Sequence, residues 1–374
     1  MTRVAISGTG LFVPPETISN EELVDSFNEF ARRHNAAHAR EIAAGKLHPI
    51  LKSSDEFIVK ASGIRRRHVM SRGGMLDPAV MSPCIPERPN DALSLMAEIA
   101  VAAARSALES AHRSPVDIDG VIVAASVTQR FYPQIAIEVQ AALGIRGFAF
   151  DLLAACSSAT FGIQVAADMI QQGHARSILA INPEICTSHL NLRDRETHFI
   201  FGDAATACVL EPARRADGDN SWEIVSTRLE SQFSNNIRNN FGPLNRFDPK
   251  TVGMPDKLIT QKGRKVFKEV VPMVSNFMLD HLAANEIDPS SLQRLWLHQA
   301  NINMNNLIAR KVLGRDPLPE EAPNILEEYG NTSSAGAIIA FHSFSRDLQP
   351  GDFGHLCSFG AGYTAGSVIL QKRR

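Results

Sequence analysis

The chain has 374 residues, 44% of them hydrophobic and 21% charged, with a formal net charge of −2. That composition is a globular one, long enough for one large domain or two ordinary ones. The near-neutral charge gives no global attraction to nucleic acid or to a membrane surface. No run of eighteen apolar residues is present to span a bilayer, and the start, Met-Thr-Arg-Val-Ala-Ile-Ser-Gly, lacks the pattern of a signal peptide. The five cysteines, at 84, 156, 186, 208 and 357, are odd in number and form no Cys-x-x-Cys pair. Neither a disulfide framework nor a metal site is expected, and a reducing cytoplasm is.

In chain order, Val4 to Gly8 reads as a buried strand ending in a glycine turn. Asn20 is positioned to cap a helix whose first turn is acidic, and helical spacing continues through the Ala-, Arg- and His-rich stretch from Phe27 to Leu51. Residues 71–90, rich in Pro, Met and Gly, read as an ordered loop, either solvated or lying over an active-site entrance. Ala92 to Ala111 forms an amphipathic helix, followed by Val116-Asp-Ile-Asp-Gly120 and an apolar strand from Val121 to Ser126. The same sequence of features recurs as a helix from Val270 to Ala284, Ile287-Asp-Pro-Ser-Ser291 and a strand from Arg294 to His298. A helix, an Ile-Asp turn and a strand are thus seen twice, as in a pseudo-duplicated α/β protein. The polar segment between Pro212 and Asn220 divides it into halves 1–215 and 216–374.

The chemistry centres on Asp151-Leu-Leu-Ala-Ala-Cys156-Ser-Ser-Ala-Thr-Phe-Gly162. A β-patterned run, Phe148 to Leu153, delivers Cys156 onto small residues able to begin a helix. A helix N-terminus stabilises an anion, so a thiol there is expected to ionise readily. Its free N–H groups are also suited to hold an oxyanion. Two further segments carry possible partners, Trp296-Leu-His298-Gln-Ala-Asn301 and Tyr329-Gly-Asn331-Thr-Ser-Ser-Ala-Gly336. Papain-like proteases also run Cys, His, Asn, with the His ~130–150 residues after the Cys. They carry that Cys near the mature N-terminus in a different signature, whereas Cys156 follows a long α/β-patterned region.

These segments resemble the β-ketoacyl-ACP synthase III family of the thiolase-like fold. The resemblance runs from Val4 to Leu370 through Gly8-Thr-Gly10, Asp55-Glu-Phe-Ile-Val59 and Gly63-Ile-Arg-Arg-Arg-His68. It continues through the Cys156 segment, Ile200-Phe-Gly-Asp-Ala204, His298-Gln-Ala-Asn301, Gly330-Asn-Thr-Ser333 and Ser358-Phe-Gly-Ala-Gly-Tyr-Thr364. It implies an α/β fold of five layers, α-β-α-β-α, built from two halves, and a homodimer. The implied activity is decarboxylative Claisen condensation of an acyl-CoA with malonyl-ACP.

A cysteine suits that reaction because its thiolate is a strong nucleophile and the resulting thioester keeps the acyl group activated. Decarboxylation then yields an enolate, which calls for two hydrogen-bond donors such as an imidazole and an amide. The family pattern makes Cys156 the acyl carrier, His298 and Asn331 the enolate hole, and the N–H groups of Cys156 and Ala361 the oxyanion hole. For CoA it implies Phe57 and Arg195 on opposite faces of the adenine, although Ala61 replaces a second arginine there. For the acyl pocket it implies Phe201, Phe267 and Phe359, with Tyr132 entering from the partner subunit. For acyl carrier protein it implies Arg264, Lys265, Lys268, Arg310 and Lys311, although Asn303 stands where an arginine is common.

No cofactor is implied beyond the CoA and phosphopantetheine thioesters that serve as substrates. The insertions at 27–51 and 71–90 resemble a longer subgroup that extends medium-chain primers such as octanoyl-CoA. An acetyl-CoA primer, a related transfer to an acceptor other than the carrier protein, and an inactive dimer partner are the alternatives. A thiolase is disfavoured because the 358–364 loop lacks the second catalytic cysteine.

Overall fold

Two runs of secondary structure follow one another and repeat one plan. The computed structural model describes residues 2–218 and 220–373, apart from the side chains of Pro243 and Arg246. The first run begins with β1 (Val4–Phe12), β2 (Glu16–Ser19), α1 (Asn20–Ala37), α2 (Ala39–Ala43), α3 (Asp55–Ser62) and β3 (Arg66–Val69). It continues with α4 (Leu95–Ser110), β4 (Gly120–Ala125), α5 (Ile135–Leu143), β5 (Phe148–Leu153), α6 (Ser158–Gln171), β6 (Ile178–Ile185) and β7 (Asp203–Pro212). The second run opens with β8 (Trp222–Ser231), β9 (Ile237–Arg238), β10 (Thr260–Gln261), α7 (Gly263–Ala284) and β11 (Leu292–Leu297). It closes with α8 (Ile302–Leu313), α9 (Leu326–Tyr329), α10 (Ala335–Ser343), β12 (Phe353–Gly360) and β13 (Thr364–Lys372).

Strand order shows the repeat. The first run gives β5-β4-β6-β7-β1 and the second β11-β12-β13-β8, the same order once β4, β6, β7 and β1 are matched to β11, β12, β13 and β8. In the first run β4 is parallel to both β5 and β6, in the second β11 is parallel to β12, and β7 and β13 run antiparallel to both neighbours. The place of β5 is taken in the second run by the segment at Glu321, whose carbonyl accepts from the Leu295 N–H at 2.7 Å. The sheets join at their edges through Ala5–Glu223 and Ile6–Trp222.

Burial then sets the layers. Helices α4 and α5 cover the outer face of the first sheet, with Ile99, Ala103 and Val139 against Val121, Val123 and Leu179. Helices α7 and α8 cover the outer face of the second, with Val274, Met278 and Ile308 against Leu295 and Ile369. Between the sheets lie α6 and α10, whose Ile163, Ala166, Ile338 and Phe341 join Trp222 and Trp296 in one cluster. The order is α-β-α-β-α, as the resemblance implies. A central strand such as β4, Gly-Val-Ile-Val-Ala-Ala, is buried at every position because helices cover both of its faces.

Local readings of the sequence need correction. The first strand does not end in a glycine turn at Gly8 but runs on to Phe12. Its glycines admit α4: a Cβ on Gly10 would stand 2.1 Å from the Ala103 carbonyl oxygen, and one on Gly8 2.5 Å from the Ala111 nitrogen. The cap of α1 is Ser19 rather than Asn20, in a reciprocal capping box with Glu22. Helical structure does not reach Leu51; it stops at Ala43, before Gly45 with φ +68°. Helix α7 begins at Gly263 rather than Val270 and carries Pro272 inside it.

The two insertions share a purpose in packing. Phe27 of α1 and Met75 and Met81 of the 71–90 loop are buried with Ile18, Leu190, Phe199 and Phe201. Arg67, 1% exposed, ties this region together by donating to the Ile18 and Phe199 carbonyls and to Asn20 Oδ1.

Gly10→Ala is expected to destabilise the fold by at least about 3 kcal/mol, the upper end of ordinary overpacking, because its new methyl meets main chain that cannot rotate away. Chemical denaturation would show it; a midpoint equal to the wild type would refute the close packing of α4 on β1.

Candidate active site

Cys156 sits on the turn from β5 into α6. Ala155 adopts φ +50°, a left-handed conformation that turns the chain sharply and aims the next side chain inward. The turn is pinned to the β12–β13 hairpin: Ser157 Oγ donates to the Thr364 carbonyl at 3.0 Å, and Thr364 Oγ1 donates to Ser157 Oγ at 2.9 Å. Gly360, at the end of β12, lies so close that a Cβ would stand 2.7 Å from the Cys156 nitrogen and 3.0 Å from its Cβ. The glycine therefore answers to the close approach of two main chains.

The next residue, Ala361, directs its N–H to the Cys156 sulfur, as does the Cys156 N–H. Two main-chain donors thus meet at the thiol. The Ala361 loop is fixed from outside, since Gln232 and Ser234 donate their N–H groups to the Tyr363 and Gly362 carbonyls at 2.8 and 2.5 Å. The Tyr363 hydroxyl also donates to Glu269 at 2.7 Å.

The resting thiol does not ionise as readily as a helix start suggested. Cys156 keeps some surface towards a cavity, but its surroundings desolvate it and push its pKa up to about 11. The Ser333 hydroxyl and the Ala361 N–H oppose that rise, and the negative charge of Glu184 adds to it. Regular α-helix begins only at Ser158, after a short 3-10 turn. Burial outweighs the stabilising helix end.

His298 follows β11, its N–H bonded to the Cys357 carbonyl at 2.8 Å and its ring edge-on to Phe359 at 5.1 Å. Burial lowers its pKa to about 4, so near pH 7 the imidazole is neutral, with one N–H donor. Asn331 precedes α10 and is held on both sides: its N–H donates to the Ile200 carbonyl at 2.9 Å, and its carbonyl accepts from the Gly202 N–H at 3.1 Å. Its side-chain Oδ1 accepts from the Ser333 N–H at 2.9 Å. That bond orients the amide and leaves the Nδ2 hydrogens as the end available to the cavity.

One cavity of about 680 Å³ receives Cys156, His298 and Asn331 together. Phe201, Phe267 and Phe359 line it, as do Phe57, Arg264 and Lys268. Tyr132 does not; it is 85% exposed, beside an exposed Phe131. Arg195 lies with its guanidinium 3.7 Å from the centroid of the Phe57 ring, so no adenine fits between them in this arrangement. Lys265 is exposed beside Arg264. Arg310 and Lys311 stand two turns along α8 from the cavity-lining Asn303 and Met304, and Arg310 pairs with Asp316 at 3.3 Å. No residue of the 71–90 loop is among the lining residues; it packs behind Phe199 and Phe201.

Several lining residues carried no signal in the sequence, among them Ser126, His189 and Arg238. Glu184 did carry one, a lone acid in the apolar run Ile178 to Ile185.

Gly360→Ala is expected to reduce acyl transfer to Cys156 by at least about a hundredfold, because the two main chains must separate and misplace the sulfur. Transfer at the wild-type rate, read by intact mass, would contradict the close approach. The pH dependence of stability follows from buried imidazoles. His189, His198, His281 and His298 are lowered to about 4 and His355 to about 3, all by desolvation. Unfolded imidazoles titrate near 6.5. The stability these groups allow is therefore present above about 6.5 and lost as pH falls towards 4. Raised carboxyls act in the opposite sense, Glu184 at about 7 and Asp203 at about 6, but they are fewer. A denaturation midpoint that stayed flat from pH 6.5 to pH 4.5 would contradict neutral burial of the five rings.

Comparison with known proteins identifies the architecture. The family model described as 3-oxoacyl-[acyl-carrier-protein (ACP)] synthase III matches residues 150–232, and its C-terminal counterpart matches 282–372. A β-ketodecanoyl-[acyl-carrier-protein] synthase of Pseudomonas aeruginosa is 60% identical over 349 residues, covering 93% of this chain and 100% of the relative. A β-ketoacyl-[acyl-carrier-protein] synthase III of Granulibacter bethesdensis is 30% identical over 376 residues, covering 99% of this chain and 100% of the relative. The crystal structure of 3-oxoacyl-[acyl-carrier-protein] synthase III from Aquifex aeolicus superposes with a TM-score of 0.77 at 25% identity, over 98% of this chain and 99% of that one. The chain belongs to the β-ketoacyl-[acyl-carrier-protein] synthase III family.

Proposed function

We propose that the protein condenses a medium-chain acyl-CoA with malonyl-ACP, releasing CoA and CO2 and forming a 3-oxoacyl-ACP for fatty-acid synthesis. The observation that carries this reading is the meeting of one nucleophile and two neutral donors in a single cavity. Cys156 supplies the thiol, His298 a neutral imidazole, and Asn331 an amide whose oxygen is already bonded.

In the first step the Cys156 sulfur attacks the carbonyl carbon of the acyl-CoA. A carbon–sulfur bond forms to the enzyme, the bond to CoA breaks, and the proton lost by Cys156 ends on the CoA sulfur. The passing oxyanion rests on the N–H groups of Cys156 and Ala361, which converge on the sulfur. In the second step malonyl-ACP loses CO2, and the electron pair of the broken carbon–carbon bond becomes an enolate. His298 and Asn331 donate to its oxygen. Its carbon then attacks the acyl-enzyme carbonyl, and Cys156 leaves as a thiolate and recovers a proton from water. Each step uses side chains and main chain alone, so none calls for a cofactor beyond the thioester substrates.

The primer length rests on the relative at 60% identity, named for a β-ketodecanoyl product. A ten-carbon product from a two-carbon extension requires an eight-carbon primer. The insertions that pack behind Phe199 and Phe201 support the same reading, because they add a wall to the phenylalanine-lined side of the cavity.

Arg195 swings off Phe57 to admit the adenine of CoA, and Arg264, Lys265 and Lys268 form the landing site for the acidic carrier. Arg310 and Lys311 extend that site along α8. The exposed pair Phe131 and Tyr132 supports a homodimer in which Tyr132 enters the partner's cavity. Five cysteines without a disulfide and the absence, among the described residues, of a helix able to cross a membrane fit a cytoplasmic enzyme.

Intact mass after incubation with malonyl-ACP and acyl-CoAs of two to twelve carbons tests the reaction and the primer together. The expected main product is 3-oxodecanoyl-ACP from octanoyl-CoA; preference for acetyl-CoA would overturn the medium-chain reading. Cys156→Ala is expected to form no acyl adduct. His298→Ala and Asn331→Ala are each expected to load the acyl group and lose condensation by about a hundred- to a thousandfold, the usual consequence of removing one such donor. Rapid turnover by both would sink the enolate-hole assignment.

A further inference from the structure

Behind the cavity, at the end of β6, a carboxyl group stands fully buried in an apolar strand. Glu184 has no accessible surface, and the bonds that hold it come from Ser126 and Ser334. Donors from both halves of the chain converge on it. Its Oε1 accepts from the Ser126 N–H at 2.9 Å, the Ser334 N–H at 3.3 Å and the Ser334 hydroxyl. Its Oε2 accepts from the Ser126 hydroxyl at 2.5 Å, with the Cys186 sulfur 3.9 Å away.

Each of these serines adjoins the reacting groups. Ser126 directly follows β4 and lines the cavity that holds Cys156. Ser334 follows Ser333, whose hydroxyl approaches the Cys156 sulfur and whose N–H fixes Asn331 Oδ1. Glu184 thus sits one residue behind the contacts that orient both the nucleophile and an enolate donor.

Four donors favour the charged carboxylate, and burial opposes it, leaving a group that titrates at about 7. The groups that face it are acidic as well: Cys186 in the turn that follows β6 and Cys156 at the head of α6, with Asp203 at the start of β7 acting on Cys186. Asp203 is itself held by the Thr187 N–H and hydroxyl and the Met70 N–H. A negative charge in so desolvated a place acts strongly on its neighbours.

We propose that Glu184 is a positioning residue of the condensing site: its carboxylate ties the end of β4 to the Asn331 segment, and its charge adds to the burial that keeps the proton on Cys156 until an acyl donor is in place. The thiolate is the form that is oxidised or alkylated, so a thiol kept protonated at rest is protected from both. The inference rests on Cys156 being the nucleophile. Its test reads the thiol directly and does not need condensation to occur.

Glu184→Gln removes the charge and little else. Its Oε1 retains three donors, and the new amide hydrogens face Ser126 Oγ, whose hydroxyl turns to accept. The measurement is the rate of Cys156 carboxamidomethylation by iodoacetamide across pH, read on the Cys156 peptide by mass spectrometry. Glu184→Gln is expected to move the profile to lower pH and raise the rate at a fixed pH below the midpoint about tenfold, the equivalent of one pKa unit. Glu184→Asp is expected to restore the wild-type profile.

An unchanged profile in Glu184→Gln, with the protein folded by circular dichroism, would overturn the proposal and leave Glu184 a structural residue. Should Glu184→Gln not fold, Ser334→Ala decides, because losing one donor makes the carboxyl harder to ionise. It is expected to shift the profile in the same direction by a smaller amount, and no shift would equally overturn the proposal. A shifted profile in an enzyme that fails to condense any primer would refute the reaction and leave the hold of Glu184 on the thiol standing.

Discussion

Close approach of main chain to main chain at the heads of two central helices is the constraint on which the site depends. Helices α6 and α10 lie between the sheets, so their N-terminal ends must enter a region already packed on both sides. They enter as small residues, Ala155-Cys-Ser-Ser-Ala leading into α6 and Asn331-Thr-Ser-Ser-Ala leading into α10. Gly360 beside Cys156 and Gly202 beside Tyr329 remove the remaining obstacles: a Cβ on Gly202 would stand 2.2 Å from the Tyr329 carbonyl oxygen. A repeated half thereby acquires two different heads, one bearing a thiol and the other an amide.

The same packing sets the electrostatics. Desolvation is the largest influence on Cys156, His298 and Glu184, and it drives each towards its neutral form. A neutral imidazole can donate one hydrogen bond without bringing a positive charge into the cavity. A protonated thiol means that nucleophilicity is expressed during attack rather than stored beforehand. Orientation is supplied locally by main chain: Ser333 directs the Asn331 amide, and the 360–364 loop directs the Ala361 N–H. That loop is held from outside by the Gln232 and Ser234 main chain and by the Glu269 side chain on α7.

The insertions act at one remove. They contribute Phe27, Met75 and Met81 to a cluster that also holds Phe199 and Phe201, which line the cavity. A wall built from behind can change the shape of the cavity without changing Cys156, His298 or Asn331.

Much was legible in the sequence because it is local or repeats. The strand Phe148 to Leu153 was read with both ends correct, and the doubled helix–turn–strand pattern announced two halves, since alternation and periodicity depend on near neighbours alone. Cys156, His298 and Asn331 could be named because each stands in a short segment whose residue types suit the chemistry. Tertiary structure decided the rest. Gly8 looked like a turn, but it and Gly10 are small to admit α4 across the sheet, a contact some hundred residues away in the chain. A helix start suggested a thiol that ionises readily, but burial outweighs it, and burial is a property of everything packed around the residue. Arg195 against Phe57, and the four donors on Glu184, join residues distant in the chain. The sequence by itself determined which groups are present and which short backbone patterns carry them; distance, desolvation and shared hydrogen bonds arise only when remote segments meet, and these the tertiary structure decided.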